Sequence, residues 1–253
     1  MRKIVLPTLI ALVALAGISS CRGPRGRADA LTDRWIEAAG GLDAWNDVEN
    51  ARFTVVTVWF DSTGAEVRRR PRFVWMKKDP LRARIERDEP EGHYVQASDG
   101  DTTWATLNGA PIPPDDPAAA EVAYVTRDVV YWFGLPYKLR DPGVHLSHIP
   151  ADSTGHEGVK VTFGEGIGLH PGDRYFYYFD GSSPFPIQVH YIEEGKTNVD
   201  RSIWSDFQQA DPITFVGTRT FVDSAGRRTK QLIMKDVEID AGVPDSLFRP
   251  PGV

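Results

Sequence analysis

From Ala51 onward the sequence is a succession of short β-type segments cut by turn residues, and this rhythm limits the fold more than any other feature. "ARFTVVTVWFD" is β-branched and aromatic and stops at the turn "DSTG". "LRARIERD" alternates, with Leu81, Ala83 and Ile85 on one face and Arg82, Arg84 and Glu86 on the other. That is the pattern of a strand with only one face covered. "HYVQAS" and "TWATL" flank a "DGD" turn, and "VHLSHI", "GVKVTFG", "DRYFYYFD", "PIQVHYIEE", "RSIWSDFQ", "ITFVGTRTFVD" and "RTKQLIMKDVEID" follow. Short connections carrying Gly, Pro, Asp or Ser make consecutive strands antiparallel neighbours. A sheet of about eleven strands must curl, and a helix in its concavity would cover the inner face. The expected class is α+β and mostly β: a large curved antiparallel sheet, a half-barrel, with helices covering the concave face.

Two helices are readable. Asp29 is placed to cap one that runs to about Ala39, with Leu31, Trp35 and Ala38 in one stripe and Gly40-Gly41 ending it. The second opens with Asp116 as N-cap and Pro117 at the first helical position, and runs to Phe133 before Gly134. Val122, Val125, Val129 and Trp132 line one of its faces, with Phe133 beside them. Such a stripe packs a core, and in a half-barrel it also walls any cavity, so these five residues are the candidate ligand-lining set. The single cysteine excludes an internal disulfide, but a chain of 253 residues buries an adequate core without one.

The beginning of the chain reads as an address. Met1-Arg2-Lys3 is a basic head, Ile4 to Ala16 is an apolar run interrupted by Pro7 and Thr8, and small residues follow. This is the order of a secretory signal, and the run is shorter than the roughly 20 residues of a membrane-spanning helix. Ile18-Ser19-Ser20-Cys21 resembles the bacterial lipoprotein box. The resemblance implies that Cys21 receives a diacylglycerol, that residues 1–20 are a lipoprotein signal peptide cut before it, and that Cys21 anchors the protein to a membrane. Residues 21–29, rich in Gly, Pro and Arg, read as a flexible tether, and residues 30–253 as a single domain. Arg22 stands where an Asp would resemble an inner-membrane retention signal, so the resemblance implies the outer membrane, facing the periplasm.

"IEAAGGLDAWNDVENARF", "GDRYFYYFDGSSPFPIQVHY" and the final "VEIDAGVPDSLFRPP" resemble the lipoprotein-carrier superfamily of bacterial envelopes, the LolA/LolB/LppX type. The resemblance spans about residues 30–250. It implies a long antiparallel half-barrel closed by helices over an apolar cavity, with a lipid or acyl chain as ligand. It supplies no catalytic motif.

Other candidates for chemistry have competing bland readings. His145 and His148 are three apart in a strand and so point to opposite faces, which does not make a shared metal site. Gly164, Gly166 and Gly168 have a G-x-G-x-G spacing, but an aromatic strand follows where a phosphate loop needs a helix. Glu193-Glu194 and Asp115-Asp116 are adjacent pairs whose side chains diverge. No catalytic residue, metal ligand or cofactor site is therefore assigned. Arg68, Arg70 and Arg72 share one face of a strand, and Arg82 and Arg84 of the next strand are placed to continue it. This basic strip is either a solvated outer face or a surface for anionic head groups or an acidic partner. The formal net charge of −6 argues against a general nucleic-acid binder.

The leading expectation is an anchored envelope protein that holds a lipid or acyl ligand between sheet and helices. The alternative is a solid-cored structural protein that docks an envelope partner, and an envelope hydrolase is the third class. Cys21→Ser is expected to release the protein from membranes or to leave an unprocessed precursor. Membrane fractionation with intact-mass measurement checks this, and a mutant processed and retained like wild type would refute the anchor.

Overall fold

Thirteen strands hydrogen-bond into one open antiparallel sheet in the computed structural model, which describes residues 24–168 and 170–251. Cys21, the signal segment 1–20 and the first residues of the expected tether lie outside the described residues. Two helices come first, α1 (Pro24–Ala38) and α2 (Gly41–Asp47). Then come β1 (Asn50–Phe60), β2 (Glu66–Lys77), β3 (Arg82–Glu89), β4 (Gly92–Ser98), β5 (Thr103–Leu107) and the two-residue β6 (Ala110–Pro111). Two further helices, α3 (Pro117–Ala120) and α4 (Val122–Phe133), and a 3-10 turn at Tyr137–Arg140 lead into the second run of strands. That run is β7 (Val144–Ile149), β8 (Glu157–Phe163), β9 (Arg174–Phe179), β10 (Gln188–Ile192), β11 (Asp200–Ala210), β12 (Ile213–Val222) and β13 (Arg228–Ile239). A 3-10 turn at Asp245–Phe248 follows. The order β6-β5-β4-β3-β2-β1-β13-β12-β11-β10-β9-β8-β7 is two meanders joined where β1 pairs with β13. The open, curved half-barrel expected from the sequence is what the chain forms. Its count exceeds eleven in part because the Pro-rich break after β5 contains β6.

The turns follow local chemistry. "DSTG" at 61–64, "DSTG" at 152–155 and "DSAG" at 223–226 share one arrangement. In each, the Asp carboxylate accepts from the backbone N–H groups two and four residues on, at 2.8–3.2 Å. The glycine supplies the positive φ (85°, 83° and 78°) that closes the turn.

The concave face carries the core. Ala51, Phe53 and Val55 of β1, Val74 and Met76 of β2, Ala83 and Ile85 of β3, and Phe215 of β12 pack against Trp45 of α2 and against Val129, Val130 and Phe133 of α4. Phe133 stacks on Phe53 with ring centroids 4.7 Å apart, and Trp45 stacks on Tyr137 at 4.9 Å. A second cluster joins Ala28, Leu31 and Trp35 of α1 to Val159, Val161, Tyr175, Tyr177, Phe179 and Trp204. Between α1 and α2, Gly40 has φ 118°, and a Cβ there would lie 2.5 Å from the Pro212 carbonyl oxygen, so no other residue fits.

Two expectations change in detail. The first helix begins at Pro24 rather than Asp29, so residues 24–29 of the expected tether are helical. Ala28 is fully buried, Arg27 forms a two-pronged pair with Glu157 of β8, and Arg140 donates to Asp29 at 2.7 Å and also to Asp33. Tertiary contacts thus extend a segment whose composition alone favours none. The second helix is two pieces, α3 and α4, meeting at Glu121, with Asp116 capping the first by accepting from Ala118 N–H at 2.8 Å.

Phe133→Ala is expected to cost about 3–5 kcal/mol, the range for removing a buried phenyl ring. Urea unfolding checks it, and a loss below about 1 kcal/mol would mean that α4 is not fixed by this contact.

Candidate functional site

Helix α4 has two working faces. Val122, Val129, Val130 and Phe133 are buried against the sheet. Tyr124, Arg127, Asp128 and Tyr131, at i, i+3, i+4 and i+7, form the adjacent face and look across a gap toward β7–β9. The gap is a cavity of about 350 Å³. Val144 of β7, Phe163 of β8 and Tyr175 of β9 form its far wall, Ile167 and His170 come from the loop before β9, and Leu81 comes from the β2–β3 turn.

Aromatic edges hold this wall together. The Tyr131 ring lies 5.9 Å from Tyr175 and 6.4 Å from Phe163, and Trp132 lies 5.6 Å from Tyr175 and 5.9 Å from Trp204. Each such pair contributes about 0.5–1.5 kcal/mol beyond simple burial, so the wall is preorganised. The Tyr131 and Tyr177 hydroxyls are buried with no hydrogen-bond partner among the described residues.

Burial dominates the electrostatics. Tyr124 is 42% exposed, and its partial burial pushes the phenol up to about 12, with the charges of Asp128, Asp173 and Glu193 adding to the effect. Burial also raises Tyr131 and Tyr175. The Asp128 carboxyl is raised by burial, against the opposing pull of Arg219 and of the Trp132 indole N–H, which donates to it at 2.7 Å. Asp173 accepts from the Tyr191 hydroxyl at 2.9 Å and from the Glu194 N–H at 2.8 Å. These two carboxylates therefore hold the pocket's frame. Among the described residues no three His, Cys, Asp or Glu side chains converge as metal ligands.

The residues singled out from the sequence fall in several places. Cys21 lies outside the described residues. Val122, Val129 and Phe133 are buried core, while Val125 and Trp132 are partly buried and pack against that core. None of the five lines the cavity, because the stripe that docks a helix points into the sheet and leaves the neighbouring stripe to face the gap. The basic strip divides. Val74 of β2 pairs with Ile85 of β3, and both are core. Arg68, Arg70 and Arg72 share Val74's parity and lie on the concave face, whereas Arg82 and Arg84 lie on the convex one. There Arg82 pairs with Asp245 at 3.0 Å, and Arg84 donates to Glu86 at 2.6 Å and to the Leu247 carbonyl at 3.0 Å. Residues missed in the sequence are Tyr124, Asp128 and Tyr131, whose signal is a second aromatic stripe on the same helix. Arg219 was also missed: it occupies the apolar parity of β12, two strand rungs beyond the buried Phe215.

No family model matches the sequence, and no curated protein matches it. Solved structures do. A LolA superfamily protein from Nitrosomonas europaea superposes with a TM-score of 0.56 at 12% identity, covering 88% of this chain and 97% of that one. A DUF1329 family protein from Desulfovibrio piger superposes with a TM-score of 0.54, also at 12% identity and covering 88% and 97%. The chain has a LolA-like fold, as the sequence resemblance implied.

The pocket's tyrosines give a pH signature. They keep their protons above the value of about 10 at which an unfolded chain's tyrosines ionise, so stability falls as pH rises past about 10. A melting temperature that drops between about pH 9 and pH 11.5, and drops less in Tyr131→Phe, is the expected result. A flat profile would contradict the burial of these phenols.

Proposed function

We propose that the protein is an envelope lipoprotein, anchored through a lipidated Cys21, that holds an acyl chain or a similarly apolar ligand between α4 and β7–β9. The observation that carries this reading is the aromatic cavity itself. Its volume of about 350 Å³ is at the lower end of small-ligand sites, which run from roughly 300 to 1,000 Å³, and suits one chain rather than several. Its apolar walls are Tyr124, Tyr131, Phe163 and Tyr175 with Val144 and Ile167, beside the polar Arg127, Asp128, Lys138, Asp141, His170 and Asp173, so a methylene chain laid along the apolar part would exchange water for apolar contact, at about 0.8 kcal/mol per buried CH₂. The LolA-like fold and the lipoprotein-box resemblance at Ile18–Cys21 support the same reading, with the outer membrane, facing the periplasm, as the location. Binding is favoured over catalysis because Asp128 and Asp173 are engaged in structural hydrogen bonds.

The solid-cored alternative draws on one fact: the apolar stripe of α4 is core rather than cavity lining. Titration with a fluorescent fatty acid separates the two. Wild type is expected to bind with a saturable signal, and Val144→Trp, which fills the cavity from β7, to weaken binding by about tenfold, roughly the loss of two buried methylenes. The melting temperature should hold within a few degrees. Absence of saturable binding by wild type would favour the solid-cored partner-docking protein.

A further inference from the structure

The half of the concave face that the helices leave open is basic. Helix α4 lies over β3, β4 and β5, and α1 lies over β7 and β8. Between them the strand pairings lay out two rungs. One runs Arg70–Thr57–Leu232–Arg219–Trp204, and the next runs Arg68–Trp59–Lys230–Phe221–Ser202. Arg72 stands one rung deeper, opposite Val55, and Arg87 of β3 adds a sixth cation from the side. The pattern alternates cations with aromatic and aliphatic floor. The Arg68 and Arg70 guanidiniums lie 5.0 and 5.2 Å from the Trp59 ring centre, Lys230 Nζ lies 4.2 Å from Phe221, and the Arg219 guanidinium lies 4.6 Å from Trp132.

The carboxylates facing these groups are too few. Glu89 takes three of the cations, at 3.1 Å from Arg68, 2.5 Å from Arg70 and 2.6 Å from Arg87. Among the described residues Asp128 is the one carboxylate whose charge acts on Arg72 and Arg219, and it shares Lys230 with Asp200. Arg70 Nε and Arg72 Nε are buried with no hydrogen-bond partner among the described residues. Burial is the leading cause that pulls Arg72 and Lys230 below their ordinary values and Arg219 down to about 10. A buried guanidinium without a matching anion is destabilising, and a solvated surface strip would not incur that cost. Arg70, Arg72 and Lys230 are all partly accessible, so an anion can reach them from solvent.

We infer that this open basic half of the concavity binds a phosphate-class anion, carried as the head group of the same amphiphile whose chain occupies the aromatic cavity. Arg70, Arg72 and Lys230 are the recognition residues, and Arg219, buried against Trp132, adds its charge beside them. Asp128 joins the two halves, since it lines the cavity and also faces Arg72 and Arg219. Guanidinium groups suit the anion because each offers two parallel N–H donors to phosphate oxygens. The placement of the chain rests on the acyl-binding reading above; the anion site itself does not.

The test compares dodecyl phosphate with dodecyl maltoside, below their micelle concentrations, by calorimetry on the purified protein, with inorganic phosphate as a third titrant. Dodecyl phosphate should bind about tenfold or more tightly than the maltoside, the scale of one charge-assisted hydrogen bond or more. Arg72→Gln and Lys230→Gln should each remove most of that preference, leave maltoside affinity unchanged and not lower the melting temperature; that retained affinity shows the variant is folded. Equal binding of the two amphiphiles by wild type would overturn the anion site and leave the acyl pocket standing. If neither amphiphile binds, the acyl reading fails and inorganic phosphate decides. Phosphate binding lost in Arg72→Gln upholds the site for a free anion, and no phosphate binding overturns it.

Discussion

Everything in this fold depends on how α4 is pinned in the concavity. The Phe133 ring lies flat against Phe53, and Val129 and Val130 continue the contact over β1 to β3. A curved sheet has one face that must be covered, and a single helix of twelve residues cannot cover thirteen strands. Once α4 is fixed on one side and α1 on the other, the rest of the concave face is left for something else. Part becomes the aromatic cavity between α4 and β7–β9, and part becomes the open basic floor over β1, β13 and β12.

The division of labour on α4 explains what was and was not readable in the sequence. Strand alternation, the Asp-Ser-x-Gly turns, the Asp116 cap and the Val122–Val129 stripe are local signals, and each forms as its local chemistry dictates. The cavity is a tertiary object. Its wall comes from a stripe whose polarity is mixed, Tyr124-Arg127-Asp128-Tyr131, and mixed stripes read as solvent-facing until the opposite wall of Val144, Phe163 and Tyr175 is known. The start of α1 is hidden in the sequence for a similar reason. Nothing in "PRGRA" demands a helix, and only the partners Glu157 and Arg140 and the burial of Ala28 show why one forms there.

The arginines teach a finer lesson about parity. Arg68, Arg70 and Arg72 belong to the same side of β2 as Val74 and Met76, so the "RRRPR" run is the continuation of a core face. Arg82 and Arg84 are on the opposite side of β3, neutralised by Asp245 and Glu86 and covered by the Asp245–Phe248 turn. Which way a charged strand face points is set by the apolar residues that share its parity further along, and for β2 those residues lie beyond Pro71.

The sheet never closes. Its two ends are the short β6, which carries Pro111, and β7, and among the described residues no ladder joins them. The cavity takes Leu81 from the β2–β3 turn and Val144 from β7, so its walls belong to the two arms of an unfinished ring. Spreading or tightening those arms is a change of twist along an intact hydrogen-bonded ribbon, which is a soft deformation compared with breaking a strand pair. The width of the slot is therefore set by the twist of that ribbon, with every backbone ladder paired, and not by the closure of a ring.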